Sequence, residues 1–158
     1  MLSLVLLTAG IVLSQFYRST MAVLAPYLTA ELGATAADLG TMSGIWFLAF
    51  ALAQLPVGIA LDRWGIARTL TLCLGIGVAG ALIFAAASSV AVVLVAQVLL
   101  GIACSPLFIA TLVFIANSYP LHRFTRVSGT VLAISNLGLL GSATPLAAAA
   151  EHAGWRAS

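Results

Sequence analysis

The chain contains no lysine, and only ten of its 158 residues carry a formal charge: six arginines and four acids. At 6% charged and 63% hydrophobic, it falls far from a soluble domain, where roughly 25% charged and 45–50% apolar is usual. A water-soluble fold is excluded, because too few polar side chains exist to cover a surface. Nucleic-acid binding needs a clustered basic face, and the scattered arginines do not form one. Cysteine is nearly absent. Cys73 and Cys104 both sit inside apolar runs, so they read as small buried hydrophobes and not as a disulfide framework. No basic residue precedes Arg18, and the first apolar run continues to Leu28. A secretory leader has a basic start and a short apolar core, so a cleaved leader is not expected, and the missing basic start hints at a trimmed beginning. The apolar runs hold no histidine and no pair of carboxylates. A Ser–His or two-carboxylate enzyme inside the membrane is therefore not expected. Two isolated histidines and two buried cysteines do not make a metal site, and no cofactor is expected.

What the chain does have is length without charge. Several windows longer than about 18 residues are free of charge, the pattern of membrane-spanning helices, and the mean hydropathy of +1.19 agrees. The fold class is all-α, a polytopic transmembrane helix bundle. Spans are expected at about 2–28, 39–61, 69–87, 90–118 and 127–150, with the chain ending at GWRAS before a sixth begins. Small residues recur at i, i+4: Gly75 and Ala79, Gly77 and Ala81, Gly101 and Ser105, Gly138 and Ser142. Such pairs let helix backbones approach closely in lipid, so they predict a packed bundle without naming its task.

The charges are not scattered evenly between the spans. Arg63 and Arg68 fall between the second and third, and Arg123 and Arg126 between the fourth and fifth. The opposite connections hold Arg156 with Glu31, Asp38 and Glu151. Arginine retained on the inner side of a membrane places the two arginine-bearing loops and the N-terminus in the cytoplasm. An integral protein of the inner (plasma) membrane is expected.

The densest of these connections is GIALDRWGIARTL, residues 58–70. Gly58, Asp62, Arg63, Gly65 and Arg68 fit the pattern G-x3-D-R-x-G with a basic residue after it. Gly58 is expected to admit a neighbouring helix, and Gly65 to supply a turn that a side chain would resist. Asp62 is a fixed negative charge suited to an arginine or a helix N-terminus. Between the second and third spans, on the arginine-rich side, this loop resembles the signature loop of the major facilitator superfamily. The resemblance continues in FYRSTMAVLAPYL (16–28), LGTMSGIWFLAFALAQLPVG (39–58), YPLHRF (119–124) and GWR (154–156). It covers nearly the whole chain but only the first five of about twelve spans. It implies the N-terminal half of a transporter, truncated before helix six, with the missing C-terminal half of the same protein as its partner. In that family the loop is thought to latch the two halves on the cytoplasmic side. Two departures matter. The family often carries an arginine in the fourth helix where this chain has Gln97, four residues before Gly101. The fifth helix reads NLGLLGSATPL and lacks the G-P-x-x-G-G cluster of many drug–proton antiporters, which disfavours drug antiport.

Arg18 is the candidate substrate residue. By a 1.5 Å rise it lies about 24 Å along the helix from Leu2 and about 15 Å from Leu28. A charge that deep is costly and normally faces a cavity or a partner. Ser14, Arg18 and Ala22 follow at i, i+4 with Gln15 adjacent, one polar stripe. The alternatives are an arginine that snorkels outward, or one that hydrogen-bonds a group such as Gln54. Gln97, Asn117 and Asn136 are weaker candidates that could equally bridge helices. His122 beside Arg123 reads as a solvated loop residue. These features point to a secondary active transporter of a small organic solute, its anionic character inferred from Arg18, working by alternating access in the lipid bilayer. The competing function is a non-transporting membrane module that binds partners or oligomerises.

Overall fold

The computed structural model describes the backbone of residues 2–153 and the side chains of residues 4–18 and 21–137. The expectations on Gly138–Ser142, Glu151 and the 154–156 segment fall outside the described side chains. Four helices follow one another: α1 (Leu2–Leu32), α2 (Ala36–Ala85), α3 (Val90–Ser118) and α4 (Leu121–Ala153). No strand occurs among the described residues.

Each boundary has a local cause. α1 stops at Gly33, whose φ of 64° lies in the left-handed region that glycine enters without penalty. α2 starts at a capping box. The Asp38 backbone N–H donates to Thr35 Oγ1 at 3.2 Å, and the Thr35 N–H donates to Asp38 Oδ2 at 2.9 Å. These satisfy two of the donors left over at a helix start. Ser89 caps α3 by accepting from the Val92 N–H. At the start of α4, the Arg123 N–H donates to the Pro120 carbonyl at 2.8 Å.

α2 is the expected second and third spans joined. A straight helix from Ala36 to Ala85 would be about 75 Å long, more than twice the roughly 30 Å apolar core of a bilayer. It is broken at Gly65, with φ 79° and ψ 167°, the one non-helical residue inside it. The arms 36–64 and 66–85 fold back beside each other and both meet α3. Gly77 and Gly80 of the second arm face Ala103, Leu99 and Leu100, while Gly101 of α3 faces Trp46 and Ala49 of the first arm. The expected loop over 62–68 is thus shorter than anticipated: helix runs up to Gly65 on one side and resumes directly on the other. α1 and α4 likewise extend past the expected limits, to Leu32 and back to Leu121.

The core runs in layers along the bundle. Leu24, Leu28, Ala34, Met42, Phe84 and Val93 pack together at one end. Leu7, Leu61, Cys73 and Ala110 pack toward the other, beside Ile11, Ile115 and Val131. The connection at Gly33 and that before Ser89 therefore share an end, and the Gly65 break shares the opposite end with the Tyr119–Pro120 turn. Arg63, Arg68, Arg123 and Arg126 are gathered at that second end, all exposed. α3 lies at the centre, burying almost every residue from Leu100 to Leu107. Outward faces are apolar: Leu55 is 79% exposed and Leu82 66%. Such surface fits hydrocarbon or another helix, not water.

Candidate functional site

The arginine at the midpoint of α1 opens onto a cavity of about 320 Å³. Its walls come from three helices: Tyr17, Arg18, Met21, Ala22 and Ala25 of α1, Leu39, Gly40, Ser43, Trp46 and Phe47 of α2, and Gln97 of α3. That volume is at the small end of the range for organic-ligand sites, about 300–1,000 Å³.

Arg18 finds its partners among rings and amides. Its guanidinium carbon lies 5.1 Å from the Phe47 ring centre and 5.9 Å from that of Trp46. A cation over an aromatic face within about 6 Å gains roughly 0.5–1 kcal/mol when exposed and about 2 when desolvated. The platform is itself braced, since Trp46 stacks on Phe50 at 5.4 Å and meets Phe47 edge-on at 5.1 Å. The Arg18 Nη1 group donates to Gln15 Oε1 at 3.2 Å, and Gln15 Nε2 donates on to Asn136 Oδ1 of α4 at 3.2 Å. No carboxylate forms an ion pair with Arg18 among the described residues. The positive charge is held in place without being neutralised.

Gln97 is 2% exposed and stands in the cavity wall. The contribution of α3 to the cavity wall is thus a neutral amide. Trp46 is 4% exposed, and its Nε1 has no hydrogen-bond acceptor among the described residues. A buried donor left in that condition costs about 1–3 kcal/mol.

The remaining expected residues distribute differently. Ser14 is buried against the bundle while Arg18 and Ala22 face the cavity, so the polar stripe divides between two environments. Gln54 is half-buried and lies two helical turns past Trp46 toward the Gly65 break; it does not line the cavity. Asn117 and His122 are exposed near the arginine-bearing end. Asp62, Arg63 and Arg68 flank the Gly65 break, exposed and without an ion pair among the described residues. The positive φ of Gly65 matches the expected turn. Gly58 does not play the expected part within this chain: a Cβ there would meet nothing within 4 Å. Cys73 and Cys104 are buried and free, as anticipated.

Sequence reasoning missed Tyr17, Ser43, Trp46 and Phe47. Ser43 is three residues before Trp46 and could have been grouped with it by helical spacing. The aromatic pair carried no such signal, because in GIWFLAF it is indistinguishable from lipid-facing sequence.

The sequence profile of the Major Facilitator Superfamily matches residues 7–158. Over 62 residues the chain is 40% identical to an uncharacterized transporter, YybO, of Bacillus subtilis (strain 168). Those residues are 39% of this chain and 14% of that protein, so the matched stretch is a small part of it.

Proposed function

Because this chain belongs to the Major Facilitator Superfamily and is an integral membrane protein, we propose that it forms the first part of a secondary active transporter. Its cargo is a small anionic organic solute, moved by alternating access. The C-terminal half of the same protein supplies the second wall of the pathway. One observation carries the substrate class: Arg18 lies at the midpoint of α1, in a cavity, over neutral rings and amides. An unpaired guanidinium at that depth costs at least about 2.5 kcal/mol on insertion scales. A substrate carboxylate recovers part of that cost through a bidentate, charge-assisted contact.

In this reading the end bearing Arg63, Arg68, Arg123 and Arg126 is cytoplasmic, which puts the N-terminus there too, in the inner (plasma) membrane. Asp62 beside the Gly65 break is the gate charge, poised for an arginine or a helix N-terminus of the other half. The open face at Gly58 leaves room for that half to approach. Gln97 contributes neutral hydrogen bonds from the opposite wall.

The experiment compares uptake of radiolabelled lactate, succinate, benzoate and glucose by the complete transporter, with Arg18→Lys and Arg18→Ala beside it. Saturable uptake of at least one carboxylate, but not glucose, is expected. Affinity should weaken strongly in Arg18→Lys, which keeps the charge but loses the planar fork, and nearly vanish in Arg18→Ala. Thermal stability measured on the same samples separates lost binding from lost folding. Normal carboxylate affinity in both variants, or loss only through unfolding, overturns the anionic assignment.

A further inference from the structure

Arg18 is held by a chain of two amides that starts on its own helix and ends on another. Gln15, one turn earlier on α1, accepts from Nη1 through Oε1 and gives Nε2 to Asn136 Oδ1 on α4. Both distances are 3.2 Å. The Gln15–Asn136 bond joins side chains of two helices, whereas the hydroxyls of Thr8, Thr69, Thr111 and Ser135 bond within their own helices. Neither Gln15 nor Asn136 lines the cavity that Arg18 opens onto.

An amide can present either its oxygen or its nitrogen to a neighbour. If Gln15 turned over, it would point an N–H at the guanidinium, donor against donor. The guanidinium has donors only, so it holds Oε1 toward itself, and Asn136 Oδ1 on α4 accepts from the Nε2 that is left. Asn136 thereby keeps the Gln15 side chain from swinging away, and Gln15 in turn holds the cation. With Gln15 on one side and the Trp46–Phe47 rings on the other, the guanidinium is confined without an opposing charge.

We propose that Gln15 and Asn136 are positioning residues: they orient Arg18 for an anion bound in the cavity and make that orientation depend on α1 and α4 staying in register. Substrate affinity then responds to the packing of two helices, because a slide between α1 and α4 breaks the Gln15–Asn136 bond and frees Arg18. The inference rests on the anionic reading above and deepens it.

The test uses the complete transporter and the same lactate, succinate and benzoate panel. Asn136→Leu and Gln15→Leu should each raise KM about tenfold, the value of one lost hydrogen bond to a charged or charge-orienting group, with kcat within about twofold. The double variant should be no worse than either single one, because both break one chain. Asn136→Gln, which keeps an amide within reach, should recover most of the affinity. Gln15→Glu places a carboxylate against Arg18 that competes with the substrate anion, so carboxylate affinity should fall further than in Gln15→Leu.

The outcomes separate. Normal carboxylate uptake by Arg18→Ala, or no saturable uptake of any panel member by the wild type, removes the anionic reading and this inference with it. Loss in Arg18→Ala with unchanged KM in Asn136→Leu and Gln15→Leu overturns the positioning role alone. Equal falls in kcat and thermal stability without a KM change, or additive losses in the double variant, also overturn it, since those are the marks of plain helix packing.

Discussion

Substituting Gly65 by alanine isolates backbone conformation from every other effect. At φ 79° and ψ 167°, Gly65 occupies a region that residues with a Cβ essentially never enter. Space is not the obstacle, because an added Cβ would meet nothing within 4 Å. The cost is therefore conformational, on the order of 1–3 kcal/mol. Gly58 supplies the control, because it is helical and its Cβ would also meet nothing within 4 Å. There, Gly→Ala should be stabilising by roughly 0.5–1 kcal/mol, since the flexible chain loses less entropy on folding. Both variants add the same methyl group seven positions apart, yet the expected signs are opposite. Thermal midpoints of the purified protein in detergent, read by loss of the monodisperse peak, would show Gly65→Ala below the wild type and Gly58→Ala at or above it. If Gly65→Ala matched the wild type, the left-handed hinge would not be what folds the two arms of α2 together. A similar fall in both variants would mean that crowding dominates, against the open space around each.

Gly101→Ala should destabilise by about 1–3 kcal/mol through overpacking, because its Cβ would fall 2.5 Å from the Trp46 carbonyl oxygen and 3.2 Å from the Phe50 nitrogen, backbone that cannot swing aside. Gly75→Ala, also helical and meeting nothing within 4 Å, should leave the same thermal midpoint at or above the wild type, as at Gly58. In the complete transporter, Asp62→Asn should shift the population toward inward-facing states by about 1 kcal/mol, close to fivefold, with expression near normal. Cysteine-accessibility labelling from each side reads that ratio, and an unchanged ratio with normal uptake would leave Asp62 a turn residue.

The long apolar helices were legible because hydropathy reports runs of apolar residues directly. Where helix ends is a separate matter, and the two diverge at both arms of α2. Asp62, Arg63 and Arg68 looked like a loop because they are charged, but each is exposed beside Gly65, where a helical side chain reaches water. Polarity marked where the apolar run stops, which is not where the helix ends. The same holds at Thr29–Leu32, polar enough to look like a connection. Its backbone stays helical, with Thr29 Oγ1 donating to the Ala25 carbonyl at 3.0 Å, until Gly33 ends it. α3 was read without error because its limits are chemical: Ser89 caps one end, and the other falls two residues before Pro120, which disfavours helix in the residue before it.

Arg18 could be singled out from sequence by depth alone, and Gln15 by its place one turn away. The rest of its surroundings could not. A cation at that depth along a span prompts a search for an acid, but the four acids are Glu31, Asp38, Asp62 and Glu151, all outside the expected spans. The partners are instead two rings that hydropathy counts as lipid-facing and Gln15, itself tied to an asparagine 121 residues away. Rings and amides hold a guanidinium through its quadrupole contacts and donors, and they leave its net charge intact. An acid would have held it more strongly and cancelled it. The absence of acid from the expected spans, first met as a feature of composition, is thus the condition under which a single arginine keeps the charge that the proposed anionic cargo would meet.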